Sequence, residues 1–247
     1  MTTSEVSEPQ AAPKPKNVFA RIAGVLFAPA DAFEEIVRRP AIVWPLVLIV
    51  AISFVSSALM VPRIDFESVK AMQAEQLRKQ NPKMSDADLE RFGRVAVASS
   101  KVIMWIAPLL TVVMFAAIAG VLLLAFRMMA GEGNFAQAMS VTLYAWMPLL
   151  LFSIIMLIVV VARWTFDPTM AATVVKSNPA FLVDMKEQPV LFALLSSLDV
   201  FTIWSVVLFI LGFSAMSRLS KGTSAGIVLV LWGVMIVLKL GMAALRG

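Results

Sequence analysis

Apolar and polar residues are not evenly mixed along this chain. Five stretches are almost continuously apolar and long enough to cross a bilayer, which takes about 20 mainly apolar residues. They are predicted over about 41–60, 102–126, 139–162, 191–216 and 225–245. Pro45, Pro108 and Pro148 fall in the first three. Membrane helices tolerate proline where neighbours satisfy the freed carbonyl, and it often marks a kink. The pattern predicts an all-α polytopic membrane protein with five transmembrane helices (residues 41–247), preceded by N-terminal amphipathic helices.

Outside these runs the pattern changes. Residues 1–16, "MTTSEVSEPQAAPKPK", are polar and proline-rich and read as a disordered tail without a cleavable signal peptide. Residues 17–40 read as two short amphipathic helices at the membrane interface or packed on the protein's own surface. Phe19, Ile22, Val25 and Leu26 share one face of the first. After Pro29, Asp31 is placed to cap the second. Phe33, Ile36 and Val37 share its apolar face, and Glu34–Arg38 and Glu35–Arg39 are favourable i,i+4 pairs. The loop 61–101 is long and charged. Within it Ser85 and Asp88 form a capping-box-like start to a helix leading towards the second span.

Composition narrows the chemistry. Of 247 residues, 60% are hydrophobic and 15% charged, against about 25% charged in soluble domains. The chain has no cysteine and no histidine. Thiol nucleophiles, disulfides, Cys- or His-ligated zinc and the commonest general base are therefore excluded. No catalytic, cofactor or metal site is predicted. The charge of +5 fits membrane orientation and anionic lipid rather than nucleic acid. Basic residues in the segment before the first span and in the second and fourth loops favour a cytoplasmic N-terminus. The loop 61–101 opposes this with eight Lys or Arg beside six acids.

Asp199 is the sharpest feature. In a helix starting near Leu191 it lies roughly 12 Å along the axis, inside the hydrocarbon edge. Ser196, Asp199 and Thr202 then share one face, with Trp204 nearby. An acid there costs about 2.5–3.5 kcal/mol on insertion scales and is a functional-site hypothesis by default. The competing reading is an acid hydrogen-bonded to another helix. The other spans are read as free of acids and bases. "GEGNF" at 131–135 lacks the strand and glycine spacing of a nucleotide loop and reads as a turn. Gly120, Ala116, Ala117, Gly212 and Ala215 are small enough for close helix contact.

Three stretches, in order and spacing, resemble the Yip family of Ypt/Rab-interacting five-span membrane proteins and its bacterial relatives. They are "GVLFAPADAFEEIVRRPAIVWPLVL"; "GEGNFAQAMSVTLYAWMPLLL", with Gly131, Gly133, Phe135, Tyr144 and Pro148; and "LDVFTIWSVVLFILGFSAMSRLSKGTSAG", with Asp199, Phe201, Trp204 and Gly212. The resemblance implies one five-helix membrane domain with a cytoplasmic N-terminus. It also implies a non-enzymatic adaptor or organiser whose partners are the bilayer and other membrane proteins or itself. Small GTPase binding follows from the family analogy alone. The short tail and the long charged loop depart from the eukaryotic kind. A small transporter or channel subunit using Asp199 is the alternative, and an intramembrane enzyme lacks a second membrane acid.

Overall fold

Residues 17–162 and 174–245 are described in a computed structural model of the chain. The expected tail 1–16, and Trp164, Asp167 and Pro168 of the third loop, lie outside the described residues. The described part is all-α. Two short helices, α1 (Val18–Phe27) and α2 (Pro29–Arg38), precede α3 (Val43–Met60). Helix α4 (Phe66–Gln80) lies against the start of α5 (Asp86–Met128). Then come α6 (Phe135–Ala145), α7 (Met147–Val161), α8 (Pro189–Leu195), α9 (Val200–Ser217) and α10 (Lys221–Ala244). Five helical segments are long and apolar enough to cross a membrane: Val43–Arg63, Asp86–Met128, Phe135–Val161, Val200–Ser217 and Lys221–Ala244.

Local chemistry explains the boundaries. Ser85 caps α5 by accepting from the Asp88 N–H at 3.2 Å, and the helix runs unbroken into the second span. At 43 residues it is about 65 Å long, twice a hydrocarbon core of about 30 Å, so its charged first turns project beyond the bilayer. The third span breaks at Trp146, because Pro148 carries no N–H to continue the ladder. The fourth run is not one helix. It ends as α8 at Leu195 and restarts at Val200, so the expected span from Leu191 begins nine residues later.

Helix α6 is the hub. Ala138 to Ala145 are all buried, whichever way they point, which is the pattern of a helix surrounded on every side. Helix α9 packs on it with Gly212 against Val141, and buries Leu208, Phe209, Phe213 and Met216 at helical spacing. The core is aromatic: Phe126 and Phe213 lie 5.0 Å apart, and Phe115 meets Trp146 edge-on at 5.2 Å. A polar tie joins α3 to α5, where Ser57 Oγ donates to the Met104 carbonyl at 2.8 Å. Helix α10 is peripheral, burying only Ser224 and Val228.

Asp65 starts α4 and supplies one pH-dependent joint. It accepts the Ser68 hydroxyl at 2.7 Å and the Ser68 and Glu67 backbone N–H groups at 3.1 Å. These bonds, the Ser68 hydroxyl first, hold its pKa below the ordinary value. A depressed folded pKa contributes stability that is present above the unfolded pKa and lost as pH falls through the folded one. Hydrogen-exchange protection of the first turn of α4 is therefore expected to fall as the pH drops below about 4. In Asp65→Asn the loss should be absent; the same pH dependence there would exclude Asp65 as its source.

Candidate functional site

Asp199 is a helix cap. Its Oδ1 accepts from the Phe201 N–H at 2.9 Å and the Thr202 N–H at 3.2 Å, the first free donors of α9. Its Oδ2 accepts the Ser177 hydroxyl. The Val200 N–H in turn donates to the Ser177 carbonyl at 3.1 Å, so segment and helix start are clamped twice. Asp199 is 6% exposed, and among the described residues its carboxylate has three donors. It sits in a break between helices rather than within one, so Ser196, Asp199 and Thr202 do not share a helix face. Trp204 packs against the main core, and the Phe201 ring lies 5.3 Å from that of Phe152, tilted by 44°.

Ser196 follows the last turn of α8. Its hydroxyl, like that of Ser197, donates to the Ala193 carbonyl, at 3.0 and 2.8 Å. Both then accept from Lys239 of α10, at 2.8 and 3.0 Å. Lys239 corrects the reading that the other spans hold no acid or base: the fifth holds a lysine, in "MIVLKLGM". The ammonium ties the last turns of α10 to α8, and its apolar neighbours hide it in a pattern scan.

The other end of the bundle gathers the glycines. Gly133 has a φ of +114°, and a Cβ there would meet Met216 Cγ at 2.8 Å. Gly131 closes the α5 end by donating to the Phe126 carbonyl at 2.9 Å, and a Cβ on it would meet Ser217 Cβ at 3.0 Å. Gly212 lets α9 approach both α6 and α2. Gly120, by contrast, has open space around it. Phe135 opens α6 half in solvent or lipid, while Tyr144 is fully buried and Pro148 lies buried at the start of α7. Asn134 and Gln137 form a reciprocal capping box at 3.0 Å, and Gln137 Nε2 also donates to the Val37 carbonyl at 3.0 Å, holding α2 to α6. Asn134→Ala is expected to cost about 1 kcal/mol, read as a lower unfolding midpoint in detergent.

Arg21 was not singled out by the sequence pattern. It is 6% exposed, with Nε 3.4 Å from Glu35 Oε1 and Nη1 donating to the Arg39 carbonyl at 2.9 Å. It also lies within electrostatic reach of the Tyr144 hydroxyl. Glu34 pairs with Arg38 at 3.2 Å, as expected, and Glu35 Oε1 lies 3.4 Å from Arg21 Nε. Asp31 lies in the first turn of α2, and the cap position is Ala28. An open cleft of about 250 Å³ lies beside this joint, lined by Glu34, Arg38, Glu132, Gln137 and Arg218 among others.

Fold and polar joints define an all-α, multi-pass membrane protein with five membrane-spanning helices and a helical hairpin at its N-terminus. The profile of the Yip1 domain matches residues 23–242, and the chain belongs to that family. It is similar to the membrane protein YknW of Bacillus subtilis (strain 168), 24% identical over 225 residues, covering 88% of this chain and 87% of YknW. No solved structure matches it significantly.

Proposed function

We propose that this Yip1-domain protein is a non-enzymatic adaptor or organiser within the membrane, with its N-terminus cytoplasmic and Asp199 a structural joint. One observation carries the reading: among the described residues three donors on Asp199 come from the start of α9 and from the segment clamped over it, so three of its roughly four lone-pair sites are engaged by the fold. Lys239 is likewise spent on the serines ending α8. An ion-coupling carboxylate must exchange its ligand in each cycle; one that caps a helix cannot do so without undoing the cap.

The test is reconstitution of the purified chain into sealed liposomes. We expect no proton or ion flux above that of empty vesicles and no hydrolytic turnover. A reproducible flux that disappears in Asp199→Asn would replace the proposal with the transporter reading. Orientation is read separately. The chain has no native cysteine, so Ser85→Cys can be labelled with an impermeant maleimide in intact cells. Labelling from outside is expected, and protection there with labelling in inverted vesicles would reverse the topology.

A further inference from the structure

Helix α1 is built inside out for a helix bathed in water. Its sequence, "VFARIAGVLF", carries one charge, Arg21, and that residue is turned inward. Val25 is buried beside it, whereas Phe19 is 68% and Phe27 85% exposed. Ala20 and Ala23 are exposed as well. The face turned away from the protein therefore has no charged side chain. The face expected from the pattern is split: Val25 points in and Phe19 out.

Helix α2 does the reverse. Phe33 and Ile36 are fully buried against the bundle, and Asp31, Glu34 and Arg38 form an exposed charged stripe. The two helices run antiparallel: Gly24 lies against Ala32, and Arg21 against Glu35 and the Arg39 carbonyl. Helix α1 touches both α6 and α7, the two parts of the third span, so it lies alongside a membrane-crossing element.

We propose that the outer face of α1, marked by Phe19, Ala23 and Phe27, is covered by lipid acyl chains, and that the stripe Asp31, Glu34 and Arg38 of α2 faces water. The occupant follows from continuity and charge. Helix α1 lies against both parts of the third span, and the one cation within Val18–Phe27 is withdrawn from its exposed face. An aqueous or headgroup-facing amphipathic helix keeps Lys or Arg on its outer side. The buried Arg21 fixes the rotation: its ion pair with Glu35 and its hydrogen bond to the Arg39 carbonyl hold it inward while Phe19 and Phe27 lie outward. The inference does not depend on what the protein engages.

The absence of native cysteine supplies the test. The full chain carrying Phe19→Cys, Ala23→Cys, Phe27→Cys, Asp31→Cys or Glu34→Cys is spin-labelled and reconstituted in phosphatidylcholine–phosphatidylglycerol vesicles. Collision rates are measured with oxygen, which concentrates in hydrocarbon, and with a water-soluble nickel chelate. Labels at 19, 23 and 27 are expected to show several-fold higher oxygen-to-nickel ratios than labels at 31 and 34. All five positions are exposed, so folding is expected to survive, and Ala23→Cys repeats the reading without loss of a phenylalanine. Nickel access at 19, 23 and 27 equal to that at 34 would overturn the proposal in favour of an aqueous face. Shielding of these labels from both reagents would overturn it in favour of a protein partner or a second copy.

Discussion

Asp199→Ala is expected to lower the unfolding free energy by about 2–3 kcal/mol, whereas Asp199→Asn leaves it within about 1 kcal/mol of the parent. Alanine removes the acceptor for the Phe201 and Thr202 N–H groups, and losing an N-cap costs about 1 kcal/mol in ordinary helices. It also takes the carboxylate from the half-buried Ser177 hydroxyl, whose other acceptor is the Val175 carbonyl at 3.5 Å, a further cost of about 1–2 kcal/mol. Asparagine caps a helix as well as aspartate does, and its amide can still engage Ser177. The pair therefore separates geometry from charge. A structural joint tolerates Asn and fails with Ala, while an ion-coupling group fails with both. Thermal unfolding in detergent reads the first property and liposome flux the second. Equal destabilisation by Asn and Ala would mean that the negative charge, not the cap, holds the joint.

The same residue shows where sequence reasoning reached its limit. The spans were legible because hydrocarbon thickness imposes a length, and a run of that length stands out in any apolar count. The break at 196–199 was not, because Leu191 to Leu195 and Leu198 continue the apolar run across it. A cap residue there looks like an acid buried in a helix. Its partner Ser177 is 22 residues away, and no local pattern joins the two. Lys239 stood in an otherwise apolar run that read as one span, and its acceptors, Ser196 and Ser197, lie more than 40 residues earlier. In α1 the pattern grouped Phe19 with Val25 by helical spacing, but burial of Arg21 against Glu35 overrode that grouping. The glycines were legible as candidates for close contact, but which of them used the space depended on what faced them. Gly212 meets two side chains and Gly120 none.

That contrast carries the last expected result. Gly212→Val should cost about 3 kcal/mol or more, while Gly120→Ala should be neutral or slightly stabilising. A Cβ at position 212 would lie 2.5 Å from Val141 Cγ1 and 2.9 Å from Phe33 Cδ1 and Cε1, well inside van der Waals contact. Overpacking of this kind costs about 1–3 kcal/mol, and more where the surroundings cannot yield. Val141 belongs to a helix buried on all sides, so the strain falls on Phe33 and presses α2 away from α9. Helix α2 is also held by the bond from Gln137 to the Val37 carbonyl, so that joint should loosen too. Gly212→Val combined with Val141→Ala should recover part of the loss, because removing Val141 Cγ1 frees the space that the new side chain needs. Gly120 has nothing within 4 Å of its added Cβ, and alanine favours a helix over glycine by about 1 kcal/mol. Unfolding midpoints of the three variants, with maleimide reactivity of Val37→Cys as a probe of α2, would decide the matter. Full stability in Gly212→Val would mean that α2 and α9 are not in contact in the membrane. Recovery by Val141→Ala without a change at position 37 would place the strain on α6 alone.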